Sequence, residues 1–198
     1  MSAMPASNRP RYAPIAPDSS ARAHLLVADQ TAIAATVFTA GIGLADFPER
    51  WSIVAHAHAL PEPLPGAGHK HFRSAAHLLA MLRHRLATET MGLRLYVTGC
   101  EPFVWDVANL AREAGMGRDE MQLYATGASV RRVSCVHCRH INPDVTATLV
   151  TCAGCGATLG VRDHFSRAHN AWMGVQVDAE APGELPVAED LSGWERSA

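Results

Sequence analysis

The sequence predicts an α/β protein in which a small parallel-sheet domain is followed by a cysteine-bearing ribbon and an extended acidic tail. Short apolar runs alternate with amphipathic helical segments over residues 21–127, and parallel strands need such crossover connections. Two Cys-x-x-Cys pairs follow within residues 131–162. From residue 178 onward, acidic residues outnumber basic ones and prolines lie among them, which is typical of an extended segment.

The first half of the α/β domain contains two predicted strands and one predicted helix. The apolar run His24–Ala28 predicts the first strand. Thr31–Ile42 is rich in alanine and predicts a helix that ends at Gly43. Trp51–His56 predicts the second strand, and the prolines and glycines of residues 61–68 predict an irregular loop.

The second half of this domain contains two further helices and two further strands. Ser74 is placed to cap a helix whose apolar residues recur at the three- and four-residue spacing of one buried face. Leu93–Val97 predicts the third strand. Pro102 suits the first turn of a helix that Gly115 would end, and Met121–Ala125 predicts the last strand.

The domain boundaries follow from these segments. Residues 1–20 carry four prolines among small and polar residues, which predicts a flexible arm. We expect the α/β domain over residues 21–127 and the ribbon over residues 131–162. Residues 163–198 are expected to form a docking segment and the acidic tail.

Composition and charge exclude several classes of protein. The chain is 48% hydrophobic and 18% charged, which indicates a folded globular protein. A formal net charge of -2 gives no electrostatic reason to bind nucleic acid or an anionic membrane. No apolar run reaches the roughly 18–20 residues of a membrane span, and the N-terminus lacks the apolar centre of a secretory signal. We therefore expect a cytoplasmic protein with no nucleic-acid or membrane partner.

Cys135, Cys138, Cys152 and Cys155 form two Cys-x-x-Cys pairs separated by thirteen residues. In a reducing compartment this spacing indicates a metal site, because each pair turns two thiolates toward one ion and thirteen residues suffice for a hairpin. Zinc is the predicted ion; iron on the same thiolates, or buried thiols without a metal, are the alternatives. Four thiolates leave no position open for water or substrate, so the ion is expected to be structural.

The rest of the ribbon has its own predicted features. Gly154 and Gly156 are expected to adopt positive φ, so that backbone N–H groups can approach the sulfurs. Val145–Val150 is a β-type run that suits a ribbon strand, and Leu159–Val161 can pair with it.

The stretch from Leu95 to Phe103 follows a predicted strand and opens a predicted helix. It resembles the final βαβ unit of ferredoxin–NADP⁺ reductase-type domains, whose corresponding turn lies near the nicotinamide. Gly99 matches the glycine of that family. Glu101 could contact a nucleotide ribose, or it could be a carboxylate favoured by the helix dipole alone. Cys100 could be a reactive thiol beside the helix N-terminus or a buried small side chain at a strand end.

The first strand and the turn after it, residues 25–33, also resemble that family, with one departure. Asp29, Gln30 and Ala32 stand where the family has glycines that let the backbone approach a pyrophosphate. A carboxylate beside a phosphate is repulsive. The resemblance therefore implies a ferredoxin-reductase-like, Rossmann-like fold in which nucleotide binding is weakened or lost.

Three blocks occur in fixed order: residues 96–107, the ribbon, and residues 161–180. Together they resemble the small, zinc-ribbon-bearing subunit of bacterial dimethylamine monooxygenase over about residues 21–190. The resemblance implies a subunit of a multi-component enzyme that converts dimethylamine, O2 and NADPH into methylamine and formaldehyde. The sequence has no evident ligands for flavin, iron–sulfur or heme centres, which carry such chemistry. We expect partner subunits to hold NADPH and these centres, while this chain, not itself catalytic, organises assembly or the electron path.

A cluster of polar and aromatic residues after the ribbon is predicted to bind the partner that holds the active site. Its aromatic residues recur at helical spacing, and large apolar side chains favour an interface. The alternative is that Asp163 caps a short helix and the other side chains are solvated. The predicted cluster consists of Asp163, His164, Phe165, Arg167 and Trp172.

Two other functions compete with this prediction. Several arginines make residues 131–170 locally basic, which is a feature of nucleic-acid-binding zinc ribbons, but Asp144, Asp163 and the acidic tail oppose them. A self-standing reductase that uses NAD(P)H is the other alternative.

Overall fold

The computed structural model describes residues 8–29, 38–53, 68–127 and 129–191. They form two compact units. One, the α/β unit, runs from Tyr12 to Gly127, and the other, the ribbon unit, joins residues 8–11 to residues 129–191. Within these ranges, no helix has both the length and the apolar character needed to cross a bilayer.

The α/β unit is built on a five-stranded sheet in which every neighbouring pair of strands is parallel. The strands are β1 (Ala23–Ala28), β2 (Glu49–Ile53), β3 (His69–Phe72), β4 (Leu93–Gly99) and β5 (Met121–Ala125). Their order across the sheet is β3-β2-β1-β4-β5. This confirms the predicted parallel α/β fold. From β1 the chain adds β2 and β3 on one side of the sheet and then β4 and β5 on the other side. The gap between β1 and β4 is thus the topological switch point, where open α/β sheets usually bind ligands.

Two helices of this unit begin and end where the sequence predicts. Helix α1 (Ala75–Ala87) is capped by Ser74, whose hydroxyl oxygen accepts the N–H of His77 at 3.2 Å. Helix α2 (Glu101–Glu113) is followed by Gly115 at φ +94°, a left-handed conformation that suits glycine at a helix end.

Three predicted features of the α/β unit need correction or lie outside the described residues. The predicted helix Thr31–Ile42 falls mostly on residues 30–37, which are not described, and it does not reach Ile42, because Phe38 forms a strand-like bridge instead. The second strand is described only as far as Ile53, and the predicted loop only at Gly68. Strand β3 was not predicted, because its sequence His-Lys-His-Phe carries one large apolar residue.

The arm predicted over residues 1–20 is not flexible where it is described. Ile15 is fully buried against Leu26, Phe47 and Tyr96. The side-chain amide of Gln122 binds both backbone groups of Ala16: it accepts the N–H at 3.0 Å and donates to the carbonyl at 2.8 Å. The prolines do prevent a helix or strand, but an extended segment can still bury large side chains against a sheet.

The ribbon unit is a second five-stranded sheet. Its strands are β6 (Arg131–Cys135), β7 (Ile141–Val145), β8 (Leu149–Thr151), β9 (Thr158–Ser166) and β10 (Ala171–Gln176), in the order β7-β6-β10-β9-β8. Strands β6 and β10 are parallel and the other neighbours are antiparallel. The predicted pairing is found where Leu149 lies opposite Gly160, and the ribbon sheet continues past residue 162 to Gln176.

The acidic tail is extended, and its described end packs on the ribbon unit. Leu191 is 1% exposed, and its N–H donates to the carbonyl of Thr146 at 2.8 Å. Residues 182–190 are exposed between this anchor and the sheet. The tail is therefore held at Leu191, its last described residue, while residues 182–188 remain accessible.

Candidate metal centre

The two Cys-x-x-Cys pairs converge on one point of the ribbon unit. Cys135 ends β6 and Cys152 follows β8, so the two strands and the turns after them bring all four sulfurs together. The four Sγ atoms lie within 4.8 Å of one another. The Sγ atoms of Cys135 and Cys155 are 3.8 Å apart, and those of Cys138 and Cys152 are 3.6 Å apart.

These distances fit a tetrahedral ion. Metal–sulfur bonds of about 2.3 Å at the tetrahedral angle place neighbouring sulfurs about 3.8 Å apart. Only small shifts of the side chains are then needed for all four thiolates to reach one centre. The four cysteines could therefore hold a single metal ion.

The two pairs have equivalent backbone turns. The N–H of Arg139 donates to the carbonyl of Cys135 at 2.9 Å, and the N–H of Gly156 donates to that of Cys152 at 2.8 Å. Both donors adopt positive φ, +64° for Arg139 and +77° for Gly156. Because each turn reverses the chain directly after its second cysteine, both sulfurs of a pair face the same side.

Gly154 differs from its prediction. It is not among the residues with positive φ in the described chain, so the need for glycine there is steric. A Cβ at this position would lie 2.7 Å from the Cβ of His140 and 3.0 Å from the Sγ of Cys138. Glycine is required because the second turn passes so close to the first.

Asn142 is a buried polar residue that joins the two turns, and the sequence did not indicate it. Its side chain is on β7 and the residue is 3% exposed. Its amide donates to the carbonyl of Val133 at 3.2 Å and lies 3.7 Å from the Sγ of Cys152. Its carbonyl oxygen accepts the N–H of Ala153 at 2.8 Å. The general signal that could have found it is a polar residue at an inward position of a strand that lies between two turns carrying Cys-x-x-Cys pairs.

The thiols are held in unequal electrostatic surroundings. Burial opposes ionisation of Cys152, but the N–H of Gly154 and the amide of Asn142 donate to its sulfur, and the pKa is lowered to about 6. At Cys138 the N–H of His140 favours the thiolate, yet burial and the neighbouring thiols oppose it, and the pKa is raised to about 12. Four crowded thiolates need added positive charge, which a divalent ion supplies.

Two of the five predicted docking residues are part of the core. Phe165 on β9 and Trp172 on β10 lie opposite each other in an antiparallel pair, and they are 1% and 2% exposed. The predicted helical spacing is wrong, because the segment is a strand, a turn and a strand. The guanidinium of Arg131 lies 4.1 Å from the centre of the Trp172 ring. These two aromatic residues therefore stabilise the sheet and are not exposed anchors.

The three polar members of the predicted cluster are more accessible. Asp163 and His164 are exposed on β9, and Asp163 forms an ion pair with Arg9. Arg167 donates to the side-chain carbonyl of Asn8 at 2.9 Å. The alternative in which Asp163 caps a helix is wrong, because Asp163 lies within a strand.

Gly99 and Glu101, the two candidates for nucleotide binding, both make contacts within the α/β unit. Gly99 ends β4 at φ +154°, and a Cβ there would lie 2.6 Å from the Cβ of Asp29 and 2.8 Å from the Cδ1 of Phe103. Glu101 accepts a hydrogen bond from the hydroxyl of Tyr12 at 3.1 Å. Glycine is thus needed at residue 99 for packing at the edge where β1 and β4 end.

A Rossmann-type α/β unit and a ribbon unit with four converging cysteines define the class of protein to which this chain belongs. The chain is a member of the dimethylamine monooxygenase subunit DmmA-like family. The N-terminal domain of that family matches residues 4–121 and the C-terminal domain matches residues 132–175. The two domain matches correspond closely to the two units of the structure.

The chain is also similar to a protein named heme-dependent oxidative N-demethylase delta subunit, from Ectopseudomonas mendocina (strain ymp). The two sequences are 41% identical over 111 residues. The alignment spans 56% of this chain and 63% of that protein. No solved structure matches the chain.

Proposed function

We propose that this chain is a non-catalytic subunit of a multi-component, oxygen-dependent enzyme that removes a methyl group from dimethylamine. The reaction is the conversion of dimethylamine, O2 and NADPH into methylamine and formaldehyde. The match of both units to a dimethylamine monooxygenase subunit family carries this proposal. The similarity to a delta subunit of an oxidative N-demethylase supports the same class of reaction and the need for partner subunits.

The four cysteines are proposed to hold a structural zinc ion. Their S4 geometry is closed, so the ion has no position for water or substrate and does not take part in the reaction. Its role is to fix the two turns that carry the cysteine pairs. Iron in the same site is the competing assignment, and metal analysis separates the two.

NADPH, flavin, iron–sulfur and heme centres are proposed to lie on partner subunits. In the described part of the chain, the cysteine quartet is the one group of three or more potential metal-ligating side chains. Closed coordination leaves that group unsuited to oxygen chemistry. The chain would then organise the assembly or the path of electrons, in the cytoplasm, while its partners carry the redox groups.

The proposed docking surface consists of two exposed parts of the ribbon unit. One is the polar end of β9, where Asp163 and His164 are exposed and Arg167, directly after the strand, is half-buried. The other is the middle of the acidic tail, where Leu185 is 53% exposed and Val187 is 87% exposed. Exposed apolar side chains among carboxylates suit a partner surface that is both apolar and basic.

The test is native purification of the tagged chain, co-expressed with its candidate partners, followed by zinc, iron, heme and flavin analysis. We expect iron and flavin to co-purify with zinc and the complex to oxidise NADPH in the presence of dimethylamine. A zinc-loaded monomer obtained with all partners present would refute the subunit role. Flavin or heme absorbance in the purified chain alone would refute the proposed division of the redox centres.

The Cys152→Ser variant tests the role of the metal within this function. We expect it to lose zinc and partner association together, because the ribbon unit presents the docking surface. Cys100→Ser is the matched control, since it makes the same chemical change outside the quartet. An assembly that forms without zinc would show that the metal is not needed for docking, and the subunit role would stand.

An NAD(P)H-using reductase component is the second candidate. It is favoured by the strand order β3-β2-β1-β4-β5, whose reversal between β1 and β4 is the usual place for a nucleotide. Saturable quenching of protein fluorescence by NADPH would support it. Unchanged fluorescence with a folded α/β unit would exclude it.

A further inference from the structure

One face of the two strands β2 and β3 carries four polar side chains that the metal centre does not use. In the parallel register, Arg50 lies beside His69 and Ser52 lies beside His71. Alternate residues of a strand face the same side, so all four project from one face of the sheet. The two imidazole rings lie 4.3 Å apart, and the hydroxyl of Ser52 is 3.0 Å from the Nδ1 of His71.

Arg50 is a buried cation whose charge is not neutralised. The residue is 4% exposed, and its Nη1 donates to the carbonyl of Leu44 at 3.1 Å. Its Nε has no hydrogen-bond partner. No carboxylate of the described chain forms an ion pair with this guanidinium, whereas Arg85 on helix α1 and Arg94 on strand β4 do have such partners. A buried charge without a partner is unfavourable and calls for a counterion.

His69 has the same unmet requirement. Both of its ring nitrogens are buried and neither has a hydrogen-bond partner. Burial, followed by the nearby His71 and Arg50, lowers the pKa of the imidazole. His71 is exposed and faces the same space. The group therefore has several N–H donors and a permanent positive charge.

The charge of this group decides which ion it can bind. A metal cation beside the two imidazoles would be repelled by the guanidinium, although paired histidines elsewhere often bind metals. An anion would satisfy Arg50 and offer acceptors to both rings. A tetrahedral oxyanion provides acceptors in three directions, which matches three separate donor side chains better than a planar carboxylate does.

We propose that Arg50, His69 and His71 form a binding site for a phosphate group. Phosphate would accept from the Nε of Arg50 and from the ring nitrogens of the two histidines. This site is separate from the cysteine quartet, and it does not depend on the proposed function. Free inorganic phosphate and the phosphate of a nucleotide present the same chemistry here, so the experiment includes both.

The test uses the full-length, zinc-loaded protein and nuclear magnetic resonance of its histidine side chains. Inorganic phosphate is titrated against chloride of equal ionic strength, and adenosine monophosphate is titrated in parallel. We expect saturable shifts in His69 and His71 but not in the other nine of the eleven histidines, together with a rise in the pKa of His69. Tighter binding of the nucleotide would identify a phosphate ester as the ligand, and equal binding would identify the free anion.

Three variants make the test specific. Arg50→Met is expected to weaken phosphate binding at least about tenfold, and to keep or raise the melting temperature because it removes an unpaired buried charge. His71→Gln, at an exposed position, should weaken binding without affecting folding. Lys70→Gln is the matched control: it removes a charge from the same strand, but Lys70 lies on the other face, 4.8 Å from the ring centre of Trp51.

Several results would overturn the proposal. Shifts that do not saturate, or that chloride reproduces, would show a non-specific salt effect. An equal loss of affinity in Lys70→Gln would show that only net charge matters. Acetate binding as tightly as phosphate would overturn the tetrahedral assignment, and an acidic peptide that displaces phosphate would instead indicate a protein partner.

Discussion

Asn142 offers the sharpest test of the proposed metal site in the ribbon. Replacing it with alanine removes the two backbone contacts of its amide and its contact with a cysteine sulfur. The carbonyl of Val133, on a buried residue, would then lose this donor, whereas the N–H of the exposed Ala153 can turn to water. An unsatisfied buried group costs about 1–3 kcal/mol, so we expect Asn142→Ala to lower the free energy of unfolding by about 1–3 kcal/mol.

The same change should weaken metal binding. Because Asn142 joins the turn of Cys152 to β6, its loss lets the two pairs of thiolates separate and removes an N–H donor from one sulfur. Loss of a residue that supports metal ligands typically reduces affinity about 10–100-fold. Competition against a coloured zinc chelator measures this, and cobalt substitution reports whether the S4 geometry persists.

Gln122→Ala is the matched control for Asn142→Ala. Gln122 is also an amide that binds two backbone groups, but it does so in the α/β unit. We expect it to lower the melting temperature and leave zinc affinity unchanged. Wild-type zinc affinity in Asn142→Ala would refute the idea that this residue fixes the metal site.

Three further predictions concern the arm and the ribbon. Ile15→Ala should destabilise the α/β unit by about 2–5 kcal/mol in denaturant unfolding, whereas Met91→Ala, at a 91% exposed position, should change little; equal effects would mean that the arm is not packed. Hydrogen bonds from Ser20 and the nearby Arg94 lower the pKa of Asp18 from 3.8 to about 2, so the stabilisation from this carboxylate is present above pH 3.8 and is lost as the pH falls toward 2. Asp18→Asn should therefore reduce the dependence of the melting temperature on pH between these two values, and an unchanged dependence would contradict this. Gly154→Ala should weaken zinc binding by forcing the two turns apart, while Gly43→Ala, which has nothing within 4 Å, should not; retained affinity would show that the turns can shift.

The parallel sheet and the cluster of four cysteines could be predicted because each has a local sequence signal. Apolar runs followed by capped helices define βαβ units, and Ser74 and Gly115 mark the two helix ends directly. The cysteine spacing alone defines a four-sulfur site. Each signal lies within one short stretch of the sequence, at most from Cys135 to Cys155 for the cysteines, so no knowledge of more distant contacts is needed.

The prediction for the segment after the ribbon is wrong because its residue spacing fits two different structures. Phe165 and Trp172 lie seven positions apart, and this spacing predicts one face of a helix because it matches two helical turns. In the structure the intervening turn brings them opposite each other on two strands. Sequence spacing cannot distinguish these cases when a short turn separates two strand-forming runs.

The N-terminal arm shows that average composition does not predict which side chains are buried. Prolines and small residues around Ile15 predict disorder when averaged over the segment, but burial is decided by single side chains. Ile15 reaches a site formed by Leu26 and Tyr96, which are neighbours only because β1 and β4 pair in parallel. The buried polar residues were missed for an equivalent reason: Asn142 and Arg50 look like surface residues in the sequence, and their surroundings arise only after the strands have assembled. Residues that contradict their local pattern are therefore the ones to test first, since a buried polar group persists only where a partner or a ligand satisfies it.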